Sequence, residues 1–455
     1  MNSQAYTAGG APPLDPHAGA ASRDTGALDA AFSKVFWRLM PFLAILFIVA
    51  WIDRVNIGFA KLRMLEDLGF SETVYGLGAG IFFVGYFLFE VPSNLLLERI
   101  GAKKTLARIT ILWGITSIAM VFVNSTTSFY VLRFLLGAFE AGLVPGVVLY
   151  LTFWFPASRR AQMTGFFISA SAVAGIIGGP LAGLIMNNMG GIGGMTNWQW
   201  LFLLEGIPSV LIGIVAIYLL ADKPEQANWL SAHEKKLIHA ELEADHRNAG
   251  PRQHSFGDAL KNPKIWIFTV IFFCIVSGNM AIAFWAPTII RGMGFSNNLT
   301  IGFLSSIPYV VGAICMVLNG RHSDKMLERR YHCALGVLVG AAGLAVVAAV
   351  PTNPLIAMIA LTVAAAGILS AFPVFWEMPL VILTGTAAAG GVALINSIGN
   401  LSGFVGPYLI GYFKTLTGQV SGGLYFIAGF EVLAAVLILL FVPKLVKKAP
   451  VRQAH

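Results

Sequence analysis

With 57% of its 455 residues hydrophobic and 11% charged, the chain is far more apolar than a soluble domain, which is about half apolar and a quarter charged. Its formal charge of +8 does not point to nucleic acid, because the lysines and arginines stand in short gaps between apolar runs and not on one face or tail. The partner they indicate is a lipid bilayer.

Residues 1–33 are rich in Ala, Gly, Pro and Ser and hold no apolar stretch of the kind a cleaved leader carries, so they read as a disordered cytoplasmic tail. Apolar runs near the length a helix needs to cross the hydrocarbon core, about 20 residues, then follow in order. The first six lie near 35–60, 73–97, 105–123, 128–154, 161–186 and 198–221. A polar interval separates them from six more, near 264–290, 300–319, 332–351, 354–378, 390–413 and 421–443. The expected fold class is an all-α membrane protein of 12 transmembrane helices in two six-helix halves, 34–221 and 264–443.

Basic residues crowd alternate gaps. Arg99, Lys103, Lys104, Arg159, Arg160, Arg321, Lys325, Arg329, Arg330, Lys444, Lys447 and Lys448 fall on one side, whereas the other holds Lys61, Arg63, Arg291 and Lys414. By the positive-inside rule the first side is cytoplasmic, and so are both termini, including the tail 444–455. The interval 222–263 is then a cytoplasmic linker, within which Ser231 and Glu234 have the spacing of a capping box that opens a short helix.

An internal repeat joins the halves. Glu98-Arg99 after the second run returns as Asp324-Lys325 after the eighth, 226 residues on. Gly175, Gly179, Pro180 and Gly183 in the fifth run are matched by Gly403, Gly406, Pro407 and Gly411 in the eleventh, with the prolines 227 residues apart. Such duplication places a substrate between the halves, near the midplane. The glycines fit either close helix packing or a bend that moves.

Five segments carry a family resemblance: Asp53-Arg54-Val-Asn56-Ile-Gly58-Phe-Ala60, Pro92-Ser-Asn94-Leu-Leu-Leu-Glu98-Arg99-Ile-Gly101, Arg133-Phe-Leu-Leu-Gly137-Ala-Phe-Glu140-Ala-Gly142 running on to Trp154-Phe-Pro156, Trp198-Gln-Trp200-Leu-Phe-Leu-Leu-Glu205-Gly206, and Asn396-Ser-Ile-Gly399-Asn400-Leu. In this order they resemble the major facilitator superfamily and, within it, the anion:cation symporter family, whose members include permeases for tartrate, phthalate, galactonate and hydroxyphenylacetate. The likeness spans nearly all of the chain after residue 33. Two features depart from it: Glu98 and Asn94 stand where the superfamily usually has Asp and Gly, and Glu377 follows Trp376 where relatives carry an uncharged residue.

Ionisable groups inside a span are functional candidates because each costs several kcal/mol without a cavity or partner. Asp53 and Arg54 in the first run and Arg133 in the fourth fall at similar depth, so geometry permits an Asp53–Arg133 ion pair. Glu140 lies two helical turns beyond Arg133 on the same face. The reading that follows makes Asp53, Glu140 and Arg133 a proton-coupling group and Arg54 a fork for a substrate carboxylate; a structural ion pair between the first and fourth spans is the alternative. The resemblance implies the same, with the matching acids as proton sites and the matching arginine on the substrate. The second half lacks these charges, since the repeat puts Asn279 and Ile359 at the places of Asp53 and Arg133.

Asn396 and Asn400, four apart on one helix face, shape the substrate together with Trp376, or else join helices. Tyr86, one turn before Glu90, faces the cavity or else packs between helices, the resemblance favouring the cavity, and Ser171 matches a polar substrate-contacting position of relatives. Glu98 with Arg99, and Asp324 with Lys325, are read as cytoplasmic latches that hold an outward-open state. Glu90, Glu205 and Glu431 fall nearer span ends, where solvation or a helix-terminal partner accounts for them. Glu377 fits a solvated acid at a helix end or a cavity group selecting a substrate with a donor.

The function this implies is secondary active transport, the import of a small organic carboxylate with protons by alternating access, by a monomer in a bacterial inner membrane. A proton-coupled exporter and an anion exchanger remain open, as does a non-transporting sensor on the same fold. No cofactor is called for: Cys274, Cys315 and Cys333 lack paired spacing, and no metal site, phosphate loop or nucleophile–base pair stands out, so an enzyme is not expected. Reporters fused after His455 and within 235–250 should both read cytoplasmic; a periplasmic signal from either overturns the orientation.

Overall fold

Lipid offers no hydrogen bonds to a peptide group, so a chain this apolar folds as helices that satisfy their own backbone. The computed structural model describes residues 16–248, 260–382 and 386–446. Among these the N-terminal set comprises α1 (Pro16–Val55), α2 (Ile57–Leu68), α3 (Glu72–Ile100), α4 (Ala102–Ala119), α5 (Thr126–Glu140), α6 (Leu143–Thr152), α7 (Ala157–Asn188) and α8 (Asn197–Leu219). After the linker helix α9 (Ala232–Asn248), the C-terminal set comprises α10 (Pro263–Gly292), α11 (Asn298–Met326), α12 (Arg330–Ala349), α13 (Pro354–Ile382), α14 (Thr386–Asn400), α15 (Ser402–Thr417) and α16 (Ser421–Val446).

Eleven stretches among the described residues are long and apolar enough to cross a bilayer. The run expected over 390–413 is divided at Leu401 into α14 and α15, of 15 and 16 residues. The fourth run is interrupted too. Ala141 is extended and Gly142 has φ +86°, a left-handed conformation that glycine adopts without strain, and a Cβ there would lie 2.7 Å from Ser93. At Asn56 and Leu401 the backbone stays right-handed. Another difference is at the N-terminus: residues 16–33, read as tail, lie within α1, in keeping with the high helix propensity of their alanines. Residues 1–15, 249–259 and 447–455 of the expected tails and linker are outside the described residues.

The packing repeats. In the N-terminal set α3 packs on α5 and α4 on α8; in the C-terminal set α11 packs on α13 and α12 on α16. The two sets meet through α7 on α11 and α3 on α15, and the repeated glycines other than Gly406 lie at these seams. A Cβ at Gly179 would meet the Gly302 carbonyl at 2.6 Å, and one at Gly76 the Pro407 carbonyl at the same distance. These glycines therefore serve close backbone approach.

One face carries the linker. Ser231 N–H donates to Glu234 at 2.6 Å and Glu234 N–H to the Ser231 hydroxyl at 3.2 Å, forming the capping box; the Ser231 amide, helped by Lys34, holds the Glu234 carboxyl below the usual carboxylate range. Lys34 to Glu234 at 3.0 Å and Arg160 to Asp245 at 3.3 Å tie α9 to α1 and α7, so the run read as solvated is partly docked.

The opposite face joins the two sets. Lys61 pairs with Glu72 at 2.6 Å, Glu72 with Lys414 at 2.5 Å, and Lys61 lies 3.5 Å from the Trp285 ring centre. Arg291 donates to the Leu62 carbonyl at 2.5 Å and Tyr75 to that of Phe284 at 2.8 Å. Toward the linker face the two sets meet at Glu90, which accepts from Ser397 at 2.9 Å and from the Asn396 side chain. Because the Thr73 and Thr415 hydroxyl oxygens are 2.7 Å apart, Thr73→Cys with Thr415→Cys should form a disulfide on mild oxidation. Mass spectrometry of the oxidised protein checks this; absence of the cross-link would deny the closed face.

Candidate functional site

Helix periodicity separates neighbours: adjacent residues project about 100° apart. Asp53 and Arg54 accordingly face different ways. Asp53 turns into the N-terminal set, where Oδ2 accepts from Trp113 Nε1 at 2.7 Å and Ser209 Oγ at 2.6 Å, and Oδ1 accepts from Ser117 Oγ at 3.1 Å. Arg54 turns the other way, to the wall of a cavity of about 220 Å³ between the two sets.

There Arg54 donates through Nε to Glu140 Oε1 at 3.1 Å and through Nη2 to the same oxygen. The guanidinium lies 5.3 Å from the ring centres of Phe82 and Tyr86 and 5.6 Å from that of Trp51, within cation–π reach. Glu140 is the last residue of α5 and fully buried, with Oε2 unbonded. A carboxylate at a helix C-terminus faces the negative end of the dipole, so Arg54 is the compensating charge.

The Asp53–Arg133 pair that depth alone permitted is not formed. Arg133 is fully buried and donates through Nε to the Gly78 carbonyl at 3.1 Å and through Nη2 to that of Ala79 at 3.4 Å, with Phe82 beneath it. Depth matched, but azimuth did not: Arg133 faces α3 and Asp53 faces α4 and α8. The arginine that meets an acid is Arg54, and the acid is Glu140.

Six residues singled out from sequence line the one cavity: Arg54, Tyr86, Ser171, Trp376, Asn396 and Asn400. Ser171 Oγ donates to its own helix at the Ile168 carbonyl, 2.8 Å. Glu377 is exposed and outside the lining. Glu98, Arg99 and Lys325 are exposed and make no ion pair among the described residues, whereas Asp324 pairs with Arg329 at 2.5 Å. Among the described residues no latch joins Glu98 or Arg99 to the C-terminal set in this conformation.

Solvation at a span end does not account for Glu90, Glu205 and Glu431, since all are buried, at 5%, 4% and 0% exposure. Glu90 accepts from Ser397, Glu205 lies beside the Asn56 amide and Glu431 against Gly278. Glu205 and Glu431 stand 226 residues apart, at the repeat offset, and that spacing marks them in the sequence as a matched pair.

The profile of the Major Facilitator Superfamily matches residues 43–407. The chain belongs to that superfamily. A putative tartrate transporter of Agrobacterium vitis is 46% identical over 93% of this chain and 93% of its own. A quinolone resistance transporter of Acinetobacter baumannii is 41% identical, covering 87% of this chain and 91% of its own. The same architecture recurs in a bacterial homologue of the human lysosomal transporter Spinster, with a TM-score of 0.74 at 15% identity, over 92% of this chain and 99% of that one. As a major facilitator the protein is a membrane transporter and not an enzyme.

Sequence reasoning missed cavity residues as well. Asn279, noted only as the repeat partner of Asp53, lines the site with Trp51, Phe272 and Tyr309; in a major facilitator with twelve per cent aromatic residues no pattern distinguished these rings from packing. For Arg133, held by carbonyls outside the lining, Arg133→Leu should lower stability by about 1.5–3 kcal/mol, the worth of hydrogen bonds from a charged donor. Binding by the folded fraction should stay within about twofold. Thermal melts in detergent, with and without ligand, check both; lost binding at unchanged stability would put Arg133 back in the site.

Proposed function

We propose that this major facilitator is a secondary active transporter that imports a small organic carboxylate with protons, by alternating access. The observation that carries this reading is the Arg54–Glu140 pair on the cavity wall. While Glu140 is ionised, its carboxylate occupies the guanidinium as a substrate carboxylate would. A proton on Glu140 weakens that bond and frees the fork, so proton and substrate bind together. The tartrate transporter among the relatives supports the anion, and Asp53, held by neutral donors only, supplies a second acid.

The cross-set bonds favour access from the linker face, which the distribution of basic residues makes cytoplasmic. Opening the other way then breaks the Lys61–Glu72–Lys414 cluster and brings Glu98, Arg99, Asp324 and Lys325 together as latches. We place the protein in a bacterial inner membrane, both termini inside, working as a monomer. The quinolone resistance relative favours a second reading, proton-coupled export; the direction of driven flux separates the two.

An anion entering against an inside-negative potential is opposed by about 2.3 kcal/mol per charge at 100 mV, so accumulation requires co-transported positive charge. In proteoliposomes with an imposed proton gradient, Asp53→Asn and Glu140→Gln should each lose driven uptake, with at least one keeping counterflow at equal pH. If both variants still concentrate substrate under the gradient, the coupling assignment fails and anion exchange replaces it. Arg54→Lys, which keeps the charge but loses the planar fork, should weaken binding about tenfold or more.

A further inference from the structure

Accepting the cavity as the anion site, we propose that its substrate is a flat aromatic monocarboxylate bearing one further hydrogen-bonding group, and not a polyhydroxylated dicarboxylate. Charge is the first argument. Arg54 is the one cation among the described residues that line the cavity, and Arg133 is committed to backbone carbonyls behind Phe82. A second carboxylate would lose its water with no counter-charge to meet it, and an unpaired desolvated charge is heavily penalised.

Surface chemistry is the second. Phe47, Trp51, Phe83 and Tyr86 form one wall and Phe272, Phe372 and Trp376 another. Across the second wall Trp376 lies 4.9 Å from Phe272 and Phe372 lies perpendicular to Phe272 at 6.0 Å. Rings arranged so accept another ring by offset or edge contacts. A sugar acid of the same length would set four or more hydroxyl and carboxylate oxygens against these walls.

Of the other polar lining groups Tyr86 turns to Arg54, Asn396 to Glu90 and Ser171 to its own helix, and those that remain, Asn279, Asn400 and the Tyr309 hydroxyl, suit one ring substituent or ring heteroatom. Asn279 and Asn400 line the cavity and hydrogen-bond to no protein group among the described residues, so each presents a free amide. Size agrees: about 220 Å³ exceeds the roughly 150 Å³ that takes up benzene in an engineered protein cavity, which leaves room for a carboxylate and one small substituent on a ring.

The test uses the full-length protein in proteoliposomes, with radiolabelled 4-hydroxybenzoate and radiolabelled tartrate in counterflow. Unlabelled pyridine-3-carboxylate, benzene-1,2-dicarboxylate and cyclohexanecarboxylate serve as competitors. Expected are saturable exchange of 4-hydroxybenzoate, at least tenfold weaker exchange of tartrate, strong competition by the pyridine acid, and at least tenfold weaker competition by the dicarboxylate and the non-aromatic ring. Trp376→Leu should weaken 4-hydroxybenzoate at least tenfold, and Trp376→Phe should restore most of it, which separates a lost ring contact from a misfolded protein. Tartrate exchanged as well as or better than 4-hydroxybenzoate overturns the inference while leaving organic-anion transport intact. Exchange of neither anion, by protein whose melting shows it folded, overturns both.

Discussion

A guanidinium and a carboxylate buried together in a lipid-embedded protein each cost several kcal/mol to desolvate, and they stay charged only by holding one another. The Arg54–Glu140 contact is that arrangement, and much of the local backbone serves it. α5 stops at Glu140 because Ala141 and Gly142 turn the chain, leaving the acid at an adverse helix terminus that only a nearby cation relieves. The three rings around Arg54 give the cation an alternative partner whenever the acid lets go. A charge that can be exchanged between a protein carboxylate, a π face and a ligand carboxylate is the chemical basis for the transport reading.

The remaining buried acids are handled differently. Asp53 has three neutral donors and no cation, so its surroundings tolerate either protonation state without leaving an arginine stranded. Glu205 and Glu431 occupy matching places in the two sets, one beside Asn56 of the first crossing and one against Gly278 of the seventh. Gly278 permits this contact, because a Cβ there would overlap Glu431. The repeat thus preserves an acid at the sixth and twelfth crossings while confining Arg54, Glu140 and Arg133 to the N-terminal set.

Closure of the face away from the linker rests on residues that looked like orientation markers alone. Lys61, Arg291 and Lys414 bridge the two sets there, and the glycine seams of α7 with α11 and α3 with α15 bring backbones close enough for those bonds to form. Few side-chain bonds face them on the linker side, where α9 is tied to the N-terminal set by Lys34 and Arg160.

Hydropathy alone determined the helical membrane class and the two sets of apolar helices on either side of a polar interval, because bilayer thickness and backbone satisfaction leave a chain of this composition few structural solutions. The motifs named the family, and a charge in an apolar run singled out Arg54, since lipid makes each such charge conspicuous; the uncharged cavity residues Tyr86, Ser171, Trp376, Asn396 and Asn400 came from the resemblance and from helix spacing. Pairing was another matter. Depth along a helix is countable from sequence, but azimuth depends on which neighbour each helix turns toward, and that is decided when all the crossings pack. So Arg54, not Asp53, meets an acid on the fourth crossing, Arg133 grips carbonyls, Glu90, Glu205 and Glu431 are buried, and Asn279 and the aromatic walls reach the cavity only through the tertiary structure.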